Sequence, residues 1–217
     1  MNTRDAASPL PIGPNRVART FRPSPVRRVD PEREQARGAA LRRSDFARFR
    51  HMGLEGAHLA CGRYGADILL RDVVVFEKRQ RFRFARDDNG PGTGAEPAYT
   101  IPARDIDGEV VDVVAWHPPT GRLSSWLGRV GLLGEDSLWR PLGSDEPLLV
   151  HRDPFAWLKA SWRGVVVVHP GLARAALLEA GTLLTTDLAH AETINALLRR
   201  QRLPRILVKT PAVGVAA

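Results

Sequence analysis

Residues 147–209 read PLLVHRDPFAWLKASWRGVVVVHPGLARAALLEAGTLLTTDLAHAETINALLRRQRLPRILVK, and this stretch decides the fold expected of the chain. Short apolar runs alternate in it with segments of helical period. PLLV (147–150), GVVVV (164–168), TLLTTD (182–187) and RILVK (205–209) have the length and the Val/Leu content of buried strands. PFAWLKASW (154–162), PGLARAALLEAG (170–181) and AHAETINALLRRQ (189–201) are helices, the second with Pro at its start and Gly at its end. Strands that are apolar on both faces need cover on both sides. The alternation therefore predicts an α/β fold: a mostly parallel, Rossmann-like C-terminal sheet over 147–209, helices on both faces, right-handed crossovers, and a short tail at 210–217.

Upstream, residues 37–146 read as a β-rich subdomain with short helices. EQARGAALRRSDFARFRHM (34–52) is rich in helix formers, and Ser44 could cap a helix restarting at Asp45. Strands are expected at 67–70, 73–78 and 81–85; in the last, a period of two puts Phe82 and Phe84 on one face and Arg81 and Arg83 on the other. DDNGPGTGAEP (87–97) is a loop by its Gly and Pro content. Residues 98–116 are two strands joined at Asp107-Gly108, a strong hairpin signal.

The chain has 217 residues and a formal net charge of +8, and residues 1–50 hold twelve arginines against five acids, so the remainder is nearly neutral. Six prolines and no apolar period make residues 1–36 a disordered or extended basic arm. Such a segment neutralises phosphates, which points to DNA or RNA as partner. The candidate nucleic-acid contacts are Arg27, Arg28, Arg42 and Arg43, then Arg81 and Arg83 beside the two phenylalanines, and Arg152 at the end of the first C-terminal strand. The competing reading of Arg81 and Arg83 is an ordinary solvated strand face. A single cysteine, Cys61, rules out an intramolecular disulfide and a cysteine zinc cluster and fits a reducing compartment. With no run of 18 apolar residues and no apolar leader, the expected location is the cytoplasm, without a membrane partner.

The segment AYTIPARDIDGEVVDVVA (98–115), taken with the strand and helix order of 147–209, resembles the Toprim domain of bacterial and phage replicative primases and the strand-rich region ahead of it. The likeness covers about half the chain. It implies a Glu at the end of the first strand and an Asp-x-Asp after the third, holding one or two Mg²⁺ ions for phosphoryl transfer. Here His151-Arg152-Asp153-Pro154 stands where the family has Glu-Gly. Asp187 takes the place of the first acid of Asp-x-Asp, and Ala189 replaces the second. Asp153 and Asp187 are then the metal candidates, able to hold Mg²⁺ only weakly, and no catalytic residue or resident cofactor is expected. The alternative role for both aspartates is to cap the helices that begin just after them.

The resemblance thus implies a non-catalytic, primase-related nucleic-acid-binding or replication-accessory protein of phage or prophage type, with replication proteins as further partners. Two other readings remain: a small-molecule or nucleotide-binding α/β domain with its pocket at the strand ends, and a protein-interaction module. His151, His169 and His190 each fall near a strand end and could converge there on a transition metal, although no HxH or HxxxH spacing supports it. No Gly-x-Ser-x-Gly and no phosphate-binding Gly-Lys-Ser/Thr loop occurs.

Overall fold

The turn at Asp107-Gly108 organises the larger of two sheets. Asp105 Oδ1 accepts the N–H groups of Asp107 and Glu109, both at 3.0 Å, and Gly108 takes φ +87°, so the chain reverses between β3 (Ala95–Arg104) and β4 (Val110–His117). β1 (Leu70–Phe76) pairs with the free side of β3, β2 (Phe82–Phe84) with β1, and β5 (Arg122–Ser125) with β4. The order β2-β1-β3-β4-β5 is antiparallel throughout. The sheet curls until its edges meet: Arg81 bridges Ser125, whose N–H donates to the Gln80 carbonyl at 2.9 Å. The alternation in the sequence is obeyed, with Phe82, Phe84, Val74, Ala98, Val113 and Ala115 clustered on one face. These features belong to a computed structural model that describes residues 29–59, 69–87, 94–138 and 146–199. Residues 1–28, Cys61, most of the 87–97 loop, the strand expected at 205–209 and the tail lie outside the described residues.

The second sheet corrects the expected fold class. It is built from β6 (Leu132–Leu133), β7 (Leu148–His151), β8 (Val165–Val167) and β9 (Leu183–Thr185) in the order β6-β8-β7-β9. β7 is parallel to β8 and β9, but β6 is antiparallel to β8, so this sheet is small and mixed. The mostly parallel, Rossmann-like sheet with helices on both faces is not what the chain forms; the larger sheet is antiparallel, and only the mixed α/β content of that expectation holds. The strands are apolar on both faces, as read, but the cover differs in kind. Leu132, Leu148, Val150 and Val165 pack under α5 (Pro170–Glu179) and α6 (Leu188–Arg199) through Ala173, Leu177 and Ile194. Leu133, Val166 and Val168 join Trp157 and Leu158 of α4 (Pro154–Lys159) and the antiparallel sheet's Tyr99, Ile101 and Trp116 in one core. A β-sheet supplies part of the cover where helices alone were expected.

The link from β5 to β6 is clamped from two sides. Asp112, 0% exposed, accepts the N–H groups of Val113 and Leu127 on Oδ1 and of Arg129 on Oδ2, each at 2.8 Å. Arg81 donates to the Leu127 carbonyl at 2.7 Å and to the Trp126 carbonyl. Gly128 lies between them at φ +66°, where a Cβ would stand 2.3 Å from Arg81 Nη1. Gly131, next along, approaches the backbone of α5 so closely that a Cβ would lie 2.3 Å from Ala173 N. That approach places β6 beside β8.

Two helices differ from expectation at the N-terminal side. Pro31–Gln35 (α1), the last residues of the stretch read as an arm, form a short helix capped by Asp30, with Arg33 N donating to Asp30 Oδ1 at 3.1 Å. Arg86 holds α1 to the sheet, donating to the Glu34 carbonyl at 2.7 Å and to Glu34 Oε1 at 2.9 and 3.0 Å while pairing with Asp72. The next helix, α2 (Arg43–His51), starts with Arg42 as its N-cap residue rather than with Ser44. Asp45 sits at its third position and accepts the Arg42 N–H at 2.7 Å. The four-residue α3 (Gly56–Leu59) follows.

Val166, 0% exposed and paired to Leu133 on one side and His151 on the other, lies where the two sheets share their core. Val166→Asp buries an unpaired carboxylate and is expected to cost several kcal/mol, on the order of the whole stability of a small domain. The expected outcome is insoluble protein or loss of a cooperative thermal transition; an unchanged melting temperature would place this strand at an exposed edge.

Candidate functional site

At the C-terminal ends of β7 and β9 the chain brings together His151, Arg152, Asp153, Asp187 and His190. Asp153, in extended backbone with Pro154 after it, accepts the Ala156 N–H at 2.9 Å and caps α4. Asp187 does the same for α6, accepting the His190 N–H at 2.9 Å. Arg152 Nη2 grips both oxygens of Asp187 at 2.8 and 3.1 Å, and the Thr186 hydroxyl donates to Oδ2 at 3.3 Å. The His190 N–H above all, against an opposing desolvation and with help from Arg152 and Thr186, holds the Asp187 carboxyl below the usual carboxylate range. His190 is 7% exposed, and burial first, then Arg152, keeps its imidazole below the ordinary histidine value, so the ring is neutral at neutral pH.

These residues do not fit the Mg²⁺ site that the primase resemblance implies. The glutamate position holds His151, whose Nε2–H donates to the Arg163 carbonyl at 2.8 Å, and the second acid is Ala189. The remaining carboxylate, Asp187, already carries a guanidinium. Among the described residues no three His, Cys, Asp or Glu side chains are grouped to hold a metal ion. His169, the third histidine of the transition-metal reading, bonds the Arg79 carbonyl through Nε2 at 3.0 Å. Beside this cluster opens a cleft of about 720 Å³ whose lining includes His151, Arg152 and His190 and the apolar Val167, Ile194 and Leu197.

The second candidate surface is α2. Its sequence RSDFARFRH puts Asp45 and Phe49 on one face and Arg43, Phe46, Ala47 and Arg50 on another, at the helical spacing i, i+3, i+4, i+7. Phe49 is buried against Tyr99 and Trp116, with ring centroids at 5.0 and 6.3 Å. Asp45, the only acid of the helix, is turned inward. It accepts the Tyr99 hydroxyl at 2.8 Å and pairs with Arg71 Nε at 3.2 Å. Burial, then the bond to Asp45, pushes the Tyr99 phenol up to about 12. With Asp45 engaged inside, nothing on the helix offsets its arginines. Arg43, Phe46, Ala47 and Arg50 line a groove of about 300 Å³ with Leu54 and Gly56, and Phe46 is 44% exposed. Arg48 lies on the flank, lining a depression of about 250 Å³ with Asp45, Arg71, Asp72, Tyr99 and His117.

The candidate arginines therefore separate into two groups. Arg81 is bound to two carbonyls, Arg83 pairs with Glu77 at 3.2 Å, and Arg152 pairs with Asp187. Arg42 and Arg43 open α2 and are exposed, and Arg27 and Arg28 lie outside the described residues. Arg48 and Arg50 were not singled out from the sequence, although the seven-residue spacing of Arg50 from Arg43 was a signal that could have found Arg50. Among the described residues the guanidinium groups of Arg43, Arg48 and Arg50 form no ion pair or hydrogen bond. No helix among the described residues is long and apolar enough to cross a membrane. Comparison with protein families, with characterised proteins and with solved structures finds no match for the chain.

The state of Asp187 has a consequence for stability. Its folded-state carboxyl is held below the ordinary value, so the ionised group stabilises the fold at pH values above that ordinary value, and the contribution fades as pH falls through the folded-state value. Asp187→Asn, which keeps a capping oxygen but loses the charge, is expected to melt below the parent protein at neutral pH. The gap should close in acid, as followed by thermal unfolding across the carboxylate range. A gap of the same size at every pH would mean that the Arg152 and N–H contacts do not favour the charged form.

Proposed function

We propose that the protein binds single-stranded nucleic acid without acting on it chemically, using the outward face of α2 as its phosphate-contacting surface. The observation that carries this reading is the division of the arginines: those in the sheets have internal partners, while Arg43, Arg48 and Arg50 have none among the described residues and share their helix with an exposed phenylalanine. Arg43 and Arg50, seven residues apart on the groove face, and Arg48 on the flank are placed to neutralise phosphates of one strand, and Phe46 between Arg43 and Arg50 offers a stacking platform that accepts any base. The six arginines and single acid of residues 1–28 extend the same charge along the chain. The likeness of Ala98–Ala115 to the primase segment supports a setting in phage-type DNA replication, with an accessory role beside replication proteins. Binding is favoured over catalysis because the acids at the strand ends cap helices, and Asp187 is matched by a cation.

Affinity for an oligothymidine, measured over a series of salt concentrations, tests this. The triple variant R43A/R48A/R50A should bind more weakly and lose about 0.7 from the slope of log K against log salt for each phosphate contact removed, about 2 in all. Its melting temperature should stay near that of the parent, since these side chains hold nothing inside the protein. Undiminished affinity and an unchanged slope would remove α2 from the binding surface.

A further inference from the structure

We propose that the cleft at the C-terminal ends of β7 and β8 is a second, separate site, which binds a small phosphate monoester carrying an apolar or aromatic body, a molecule of mononucleotide size. The cleft, at about 720 Å³, is within the range of small-molecule pockets. Its wall is apolar, from Val167, Pro170, Ile194 and Leu197, while its polar lining consists of His151, Arg152, His190 and Thr193, with no carboxylate among the described lining residues. Arg152 meets Asp187 through Nη2 alone, so the N–H groups of Nη1 and Nε are each left to donate singly to a phosphate oxygen.

His190 is the second and independent sign of a ligand. It lines the cleft, is 7% exposed, and its Nδ1 is a buried ring nitrogen with no hydrogen-bond partner. An unpaired buried polar atom is costly and uncommon in a folded protein, and this one belongs to a ring that lines the cleft, where a turn of the imidazole brings it to a ligand atom. Ala189, also in the lining, stands in the first turn of the twelve-residue α6, where N–H groups lack intrahelical acceptors and favour an anion. Of the nearest acids, Asp153 is engaged as the cap of α4, while Asp187 holds Arg152 Nη2 and the His190 N–H, so a bound phosphate shares Arg152 with Asp187. A phosphate at Arg152 and His190 leaves its organic body along Val167, Ile194 and Leu197.

The full chain, titrated by calorimetry and by thermal shift with adenosine 5′-monophosphate, uridine 5′-monophosphate, adenosine and inorganic phosphate, tests the assignment. The monophosphates are expected to bind saturably and raise the melting temperature, with adenosine and inorganic phosphate each much weaker. Arg152→Gln, a change at an exposed side chain, should weaken monophosphate binding by about tenfold or more while the unliganded protein still folds; His190→Gln should weaken it as well. The α2 triple variant should bind the monophosphates like the parent, which separates this site from the nucleic-acid surface. No saturable binding of either monophosphate, adenosine binding as well as its monophosphate, or undiminished binding by both Arg152→Gln and His190→Gln would each overturn the proposal.

Discussion

The buried carboxylate of Asp112, with the Arg81 guanidinium facing it across residues 126–129, is the constraint on which the rest of the structure depends. A charge this deep is tolerated only when its oxygens are fully used, and three backbone N–H groups use them. Arg81 supplies the complementary donors to the carbonyls of the same loop. The chain thus leaves the antiparallel sheet along one path, and that path sets β6 against β8 with Gly131 pressed on α5. Replacing either ionised partner would leave buried backbone groups unsatisfied on a loop that joins two sheets and their shared core.

From that constraint follows a division of labour among the arginines. The chain is rich in arginine, and a count of charge cannot tell which residues face a partner. Arg81 and Arg86 act as internal connectors, Arg81 donating to two loop carbonyls and Arg86 to the Glu34 carbonyl, and Arg86 also stacks over the Phe84 ring at 3.9 Å. Arg71 and Tyr99 draw Asp45 inward, and this removes the one acid that could have neutralised α2. The positive face of α2 is therefore a product of the core's polar contacts as much as of its own sequence.

The local elements were legible in the sequence because local chemistry determines them. The Asp107-Gly108 hairpin, the Phe82/Phe84 alternation, and Asp153 and Asp187 as caps ahead of Pro154 and Leu188 each rest on residues within a few positions of one another. What escaped was set by distant contacts. β6 is two residues long and has no period to detect, yet its antiparallel pairing with β8 changes the class of the sheet. The alternation at 81–84 separates Arg81 from the two phenylalanines but says nothing of carbonyls 45 residues away that claim its guanidinium. Pro31–Gln35 looks like an arm because its anchor, Arg86, is 52 positions from Glu34. The cleft beside His190 is likewise assembled from three strand and helix ends that no spacing in the sequence connects.

The division of the arginines can be read directly from the side-chain Nε–Hε resonances of the protein in solution, titrated with an oligothymidine that carries no terminal phosphate. Arg43, Arg48 and Arg50 should shift together and saturate at one concentration, while Arg81 and Arg86 stay in place. Shifts concentrated on Arg81, Arg86 or Arg152, with the three arginines of α2 unmoved, would contradict the assignment of α2 as the binding face.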